Sequence, residues 1–460
     1  MATAPTLLWF RQDLRLADHA ALLAAAEAGP VIPVYVLDDE TPGPWAIGGA
    51  QRWWLHHSLA ALDAALRTKG SRLVLRRGRA AAEIVRLTEA TGAAAVHAIR
   101  HYEPWWAHAE WEVAGRATLV LHDGNQLAPP DSVRTGTGGF FKIFTPFWRT
   151  LSAMLPPPAP LPAPAMIEAP AHWPDSDSLA DWQLRPIRPD WAARFPAAWT
   201  PGEAGAAAAL AAFVTKAGAY HDRRNLPSEP GTSQLSPHLH FGEVSPAMVW
   251  HALSGSGAGL DTFRSELGWR DFATGVIARN PDYGHRNGRP AFDRFPWRPL
   301  TDRAAAADFR AWTTGQTGYP IVDAGMRQLW AIGWMHNRVR MIAASFLIKH
   351  LLIDWREGER WFWDTLVDAD YGSNAVNWQW TAGSGVDSNM FGRIMAPLSQ
   401  SEKFGAGDYI RHWVPELAHV PDPAIHDPHA AGVAVPGYPE KRIEHREARA
   451  RALEAARALR

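Results

Sequence analysis

The stretch Leu7–Leu37, LLWFRQDLRLADHAALLAAAEAGPVIPVYVL, decides the fold class. It opens on the uncharged run Leu7–Phe10 and closes on a β-rich run, Val31–Leu37. Between them His19–Ala28 is a helical stretch rich in alanine and leucine. Strand, helix and strand, with no polar alternation in either strand, is the pattern of buried parallel strands joined by a crossover helix. Three further β-rich runs follow at Arg72–Arg76, Ala95–Arg100 and Ala117–Leu121, with a helical stretch over Arg52–Lys69. Residues 1–130 are therefore expected to form a Rossmann-like α/β domain, a parallel sheet with helices on both faces. No G-x-G-x-x-G follows the first strand, so a dinucleotide on that turn is not supported.

At 460 residues the chain is too long for one ordinary core. Pro156–Pro201 holds PPPAPLPAP and further prolines, which deny helix and central strand, so residues 131–201 read as an extended connector. Its tryptophans, Trp173, Trp182, Trp191 and Trp199, imply that it packs down instead of hanging as a tether. From Gly202 the pattern is helical, giving an all-α domain over 202–460. Arg327–His350 and Trp355–Leu366 read as core helices. Ser236-Pro237 and Ser245-Pro246 each read as a capping hydroxyl before a first-turn proline.

Hydrophobic content of 47% with 20% charge is that of a soluble globular protein. No run of 18 uncharged apolar residues occurs, and the first residues lack a signal-peptide pattern, so no membrane association is expected. The absence of cysteine excludes disulfides, thiolate catalysis and cysteine-ligated metals, and suits a cytoplasmic protein. With a net charge of -1, a nucleic-acid partner would need a local patch. Residues 262–298 offer seven arginines against four acids, which also suits a solvated surface of mixed charge.

Three clusters could carry chemistry. Gly231-Thr232-Ser233 before a helix start offers hydroxyls and N–H groups suited to a phosphate, as any capped helix does in part. Glu266, Trp269 and Arg270 fall on one helix face, fit to bind a flat polar heterocycle or simply to form an amphipathic helix with an ion pair. Arg338 and Arg340 lie in an otherwise apolar helix and need acidic or phosphate partners.

Long motifs then settle a resemblance. WFRQDLRLAD (9–18), KIFTPF (142–147), GTSQLSPHLHFGEVSP (231–246), ELGWRDF (266–272) and GYPIVDAGMRQL (318–329) follow one another. So do GWMHNRVRMIAASFLIKHLLIDWREGERWFWDTLVDAD (333–370) and NWQW (377–380). The chain resembles the photolyase/cryptochrome flavoproteins nearly end to end, and within them the enzymes that repair cyclobutane pyrimidine dimers in DNA.

The resemblance implies a folded FAD, active as the anionic hydroquinone, in the helical domain. Tyr220, Thr232, Ser233, Gln234, Leu235 and Ser236 would hold its phosphates and ribityl chain. Phe263, Arg270, Asn337, Asp368, Asp370 and Asn374 would surround its rings, with Arg340 paired to Asp368 and Asn374 facing flavin N5. A flipped dimer in UV-damaged DNA would stack on Trp269 and Trp380 and contact Met341. A protonated Glu266 would bond a pyrimidine carbonyl as it gains charge. Arg224, Asn337, Arg338 and Gln400 would hold DNA at the cavity edge. Met341 stands where (6-4)-specific relatives carry a histidine, which favours the cyclobutane dimer over the (6-4) photoproduct. The intact Glu266–Trp269 pair argues against a signalling cryptochrome without repair.

In a helix, residues two apart point about 200° from each other, so Trp378 and Trp380 should face opposite ways. The resemblance gives Trp380 to the lesion and makes Trp378 the start of an electron relay through Trp355 to Trp297. Arg11, Asp38 and Glu103 would meet a second, antenna chromophore such as a folate or deazaflavin, or serve the structure alone. No metal is implied, and a monomer is expected. Tyr371-Gly-Ser and Gly385–Arg393 depart from the family pattern, and the charged end, Lys441–Arg460, reads as a short solvated helix.

Overall fold

The computed structural model describes residues 3–388 and 391–459. It divides into two compact units. The first comprises Met1–Gly218, Ser233–Pro281 and Val367–Gly372; the second comprises Ala219–Thr232, Asp282–Leu366 and Ser373–Arg460. These bounds differ from the domain limits expected at 130 and 201.

The first unit is built on five parallel strands: β1 (Thr6–Phe10), β2 (Val31–Leu37), β3 (Val74–Arg77), β4 (Ala95–Ile99) and β5 (Leu119–His122). Their order is β3-β2-β1-β4-β5, with Leu7 opposite both Ile32 and Val96. Every residue of β1 and β2 is buried, as their unbroken apolar runs require. Helices Ala20–Ala28, Gly49–Thr68, Ala80–Thr91 and Pro104–Ala114 alternate with the strands. His19 caps the first of these. Its Nδ1 accepts from the Leu22 N–H at 3.0 Å, so the proton sits on Nε2 and is donated to Asp13 at 2.9 Å.

The proline-rich connector packs down on this unit. The N–H groups of Val31 and Asp177 bond the carbonyls of Glu168 and Leu75, both at 2.9 Å, and Trp182 and Trp199 are buried. Residues beyond the connector belong to the same unit because carboxylates, two of them buried, bind them there. Glu203 accepts from the N–H groups of Leu16 and Ala17 at 3.0 and 2.9 Å. Glu243 accepts from Trp54 Nε1 at 2.9 Å, from the Gly202 N–H at 2.7 Å and from His238 at 2.5 Å. Asp271 accepts from the Leu127 and Ala128 N–H groups at 2.8 and 3.3 Å, and burial pushes its carboxyl up to about 7.

The second unit is helical, and the segment read as one helix over Arg327–His350 is broken. Pro320–Ile332 ends at Gly333, whose φ of 66° is the left-handed conformation that closes a helix. His336 then caps Asn337–Ser345, which runs on as a π-turn over Phe346–His350. Trp355–Thr365 and most of Tyr371–Ala382 follow. The terminal helix, His445–Ala455, is more than a solvated surface: Ala448 and Ala452 are buried, and His445 meets His350 at 2.9 Å. Among the described residues no helix is long and apolar enough to cross a membrane.

Candidate functional site

In the first unit the helix Ala258–Arg279 carries the expected substrate-facing residues. Glu266 and Trp269 lie one turn apart, both half-buried, so Glu266 is less enclosed than a dry cavity would make it. The Trp269 ring stacks on Phe144 at 3.7 Å and 9°, and meets Phe272 edge-on. Phe263 is buried against Phe213 at 4.3 Å. Arg270 is drawn inward: its guanidinium donates to the carbonyls of Asn125 and Leu239. That makes it a strut of this unit as well as a candidate ligand-side residue. Leu235, not Ser236, occupies the cap position of the helix Ser236–His240. Ser245 caps its own helix as expected, accepting from the Met248 N–H at 3.0 Å. Ser233 Oγ accepts from the Leu235 N–H at 3.3 Å, and Gln234 between them has φ 55°. Asp368 is buried and Asp370 half-buried. Both face the charge of His240, whose protonated form burial disfavours most.

The proposed antenna residues sit just past the carboxyl ends of β1, β2 and β4, each already engaged. Arg11 is buried on Glu110 at 2.6 Å. Asp38 accepts from the N–H groups of Glu40, Thr41 and Ala80 and from the Thr41 hydroxyl. Burial works to raise Glu103, but the hydrogen bond and charge of His101 outweigh it and hold the carboxyl at about 2. The atypical Tyr371 belongs to this unit's core: its ring lies between Trp45 and Trp105, at 5.0 and 5.1 Å, and its hydroxyl donates to the Pro281 carbonyl.

In the second unit Tyr220 is buried with Arg224 over its ring at 5.4 Å. Gly231 turns so closely past Arg223 that a Cβ would stand 2.5 Å from its carbonyl oxygen. Asn337 is exposed and opens its helix. Behind it His336 Nδ1 accepts from the Arg338 N–H at 3.2 Å. Burial, with Arg340, Arg338 and Arg224 nearby, lowers His336 to about 4, so it is neutral at pH 7. Arg340 donates to the Met335 carbonyl at 2.7 Å. Arg338 forks onto Asn225 at 3.2 and 2.7 Å, touches Met341 sulfur at 3.7 Å and lies over Phe404. Burial, then Arg224 and Arg393, push its guanidinium below the ordinary value. Three clustered guanidiniums are what a phosphate backbone requires. Gln400 is half-buried on the helix Pro397–Lys403.

NAVNWQW is helical, and its tryptophans divide as the geometry demands: Trp378 is buried and Trp380 half-exposed. A methyl group on Gly358 would overlap the Trp378 ring, so that glycine lets the indole lie against the helix that starts at Trp355. Asn374 Nδ2 donates to the Glu359 carbonyl at 3.1 Å, which leaves its Oδ1 as an acceptor. The Glu359 side chain is buried without a hydrogen-bond partner, and burial raises it well above the carboxylate range. Gln379, between the two tryptophans, is completely buried. Its Nε2 donates to the carbonyls of Tyr283 and Arg286, and its Oε1 accepts from the Gly288 N–H at 2.8 Å. It therefore fixes the 283–288 turn. In the atypical segment, Val386 N–H donates to Tyr283 Oη at 2.8 Å and Phe391 packs on Phe295 at 4.7 Å. Asn389 and Met390 lie outside the described residues.

These motifs match known families along most of the chain. Residues 6–165 match the DNA photolyase domain, and residues 263–458 match the FAD binding domain of DNA photolyase. A curated relative, the deoxyribodipyrimidine photo-lyase of Agrobacterium fabrum, is 48% identical over 99% of this chain and 98% of its own. The chain belongs to the photolyase/cryptochrome family. The crystal structure of a bacterial class III photolyase from Agrobacterium tumefaciens superposes with a TM-score of 0.94 at 47% identity, covering 100% of this chain and 98% of that one. Cryptochrome-1 of Arabidopsis thaliana is 36% identical over 98% of this chain but only 70% of its own. FAD is thus the cofactor of the fold, and the residues present suit it. Hydroxyls at 232 and 233 and a close glycine turn fit a pyrophosphate, and Asn374 keeps an amide oxygen that can accept from a ring N–H.

Proposed function

We propose that this photolyase-family protein is a light-driven lyase that splits cyclobutane pyrimidine dimers in DNA. The observation that carries this is the pairing of Glu266 and Trp269, half-exposed and one turn apart on the helix Ala258–Arg279. Reduced FAD, when bound, would supply the chemistry, a light-driven transfer of one electron to the dimer that is reversed once the ring has opened. The chain's own residues bind, orient and stabilise. Thr232, Ser233, Gln234, Leu235, Ser236 and Tyr220 hold the phosphates and ribityl chain. Phe263, Arg270, Asn337, Arg340, Asp368, Asp370 and Asn374 surround the rings. Arg224, Arg338 and Gln400 hold the DNA backbone.

The dimer must leave the duplex, a step for which DNA photolyases are themselves a standard example. Weak stacking and pairing make a dimer cheaper to extrude than normal bases. Trp269 and Trp380 then offer it ring faces, and Met341 an apolar edge. Glu266 donates a hydrogen bond to a pyrimidine carbonyl as negative charge develops there. Removing one such donor costs about a hundredfold in rate. Glu266→Ala is accordingly expected to cut repair yield per absorbed photon far more than DNA affinity, measured together on an oligonucleotide with one defined dimer. Equal losses in both would reduce Glu266 to a binding residue.

Trp378, Trp355 and Trp297 form the relay that reloads oxidised flavin with an electron. The Arg298 N–H donates to the Leu352 carbonyl at 2.8 Å, which ties the residue after Trp297 to the segment before Trp355 and supports this reading. An antenna chromophore near Arg11, Asp38 and Glu103 would have to share groups already engaged. We place the protein in the cytoplasm as a monomer.

A further inference from the structure

An indole that has lost an electron is a far stronger acid at Nε1 than the neutral ring. Whether it keeps its proton depends on what that N–H faces. In the helical unit Trp355 is fully buried, and its Nε1 donates to Asn287 Oδ1 at 2.9 Å. The amide is fixed in that sense, because Asn287 Nδ2 donates to Asp293 Oδ1 at 2.7 Å, and a carboxylate can only accept. The turn that carries Asn287 is itself fixed by Gln379. At the next station, Trp297 Nε1 is buried with no acceptor among the described residues.

We propose that Asn287 is a positioning residue of the relay: it holds the Trp355 N–H on a neutral, non-basic oxygen, so that an electron vacancy passes through Trp355 without loss of a proton. This rests on the Trp378–Trp355–Trp297 reading. The electron balance is simple. Trp378 gives one electron to light-excited oxidised FAD, Trp355 gives one to Trp378, and Trp297 gives one to Trp355. A thiol in solution then reduces Trp297. No proton moves at Trp355. With a carboxylate in Asn287's place the Trp355 radical cation would give up its proton. The resulting neutral radical is a weaker oxidant and cannot draw an electron from Trp297.

The test is a swapped pair, Asn287→Asp with Asp293→Asn, in the FAD-loaded protein. It keeps the hydrogen-bond geometry but turns a base toward the indole. Flash absorption is expected to show a neutral tryptophan radical in place of the radical cation. Flavin photoreduction should fall at least about tenfold, the equivalent of one pKa unit of driving force. The indole N–H band in ultraviolet resonance Raman should shift toward a stronger hydrogen bond even without FAD. Asn287→Leu removes the acceptor but adds no base, so it should keep the radical cation while the Raman N–H band shifts toward that of a free indole. A radical cation with an unchanged rate in the swapped pair would overturn the proposal, as would equal slowing by Asn287→Leu. Trp355→Phe separates the two levels: if photoreduction survives it, the relay itself is wrong and the inference falls with it. If Trp355→Phe abolishes photoreduction while the swapped pair behaves as wild type, only the role of Asn287 fails.

Discussion

Trp378→Phe is expected to bring light-driven reduction of the flavin close to background while leaving repair intact once FAD is reduced chemically. The Trp378 ring is buried, meets Phe362 edge-on at 4.9 Å and lies against the helix backbone at Gly358. On the proposed relay the electron would reach Trp378 from Trp355. Phenylalanine keeps the aromatic packing but is far harder to oxidise, so the first step stops. The volume lost is small and should cost no more than about 1–2 kcal/mol of stability, which leaves the fold in place. Loss of the oxidised-flavin absorption under blue light, with a thiol present, reads the first part. A dimer-repair assay on dithionite-reduced enzyme reads the second. Unchanged photoreduction would mean that another route supplies the electron.

A second large effect is expected at Asp323, which no proposed chemical step uses. Its carboxylate is completely buried and accepts four hydrogen bonds: from the N–H and hydroxyl of Thr317, both at 2.7 Å, from the Gly318 N–H at 3.1 Å and from the Tyr438 hydroxyl at 2.7 Å. It thereby joins the start of the helix Pro320–Ile332 to the segment before the terminal helix. Asp323→Ala strands these donors in the interior, at about 1–3 kcal/mol each where water cannot reach them. Against a total stability on the order of 5–15 kcal/mol, this is a large fraction. The melting temperature should drop by about 10 °C or more, at about 2–4 °C for each kcal/mol in a chain of this size. Thermal melts followed by circular dichroism would show it. A shift of only a degree or two would mean that the network relaxes around the gap.

What the sequence made legible follows from the range of the interactions involved. The five strands were readable within about two residues, because each is a short β-rich run set between helical or turn sequence. The opposed directions of Trp378 and Trp380 followed from helix geometry alone. The division into units was not readable. It rests on Glu203, Glu243 and Asp271 binding backbone N–H groups far away in the chain, and no local pattern announces such partners. The break at Gly333 was missed, because Arg327–His350 read as one core helix. Tyr371 looked like a departure from the family and proves to be a core aromatic between two tryptophans. Asn287 gave no signal at all, since its partners are Trp355, 68 positions on, and the short-range Asp293.

The candidate site residues were proposed from long motifs. The structure adds what those motifs could not carry: which atoms are already committed. Arg270 binds backbone carbonyls of its own unit, and Asn374 spends an N–H on Glu359. Arg338 is held on Asn225 beside two further arginines. Commitments of this kind limit how each side chain can meet a ligand.

The most direct test of the central claim is the fate of a defined lesion. The reduced, FAD-loaded protein would be mixed with oligonucleotides carrying one cyclobutane thymine dimer or one (6-4) photoproduct, in blue light and in darkness. Restoration of intact thymines from the cyclobutane dimer in light, with neither lesion altered in darkness and the (6-4) product left in place, is the predicted result. If neither lesion is lost in light, or only the (6-4) product is, the account of this protein as a cyclobutane-dimer lyase is contradicted.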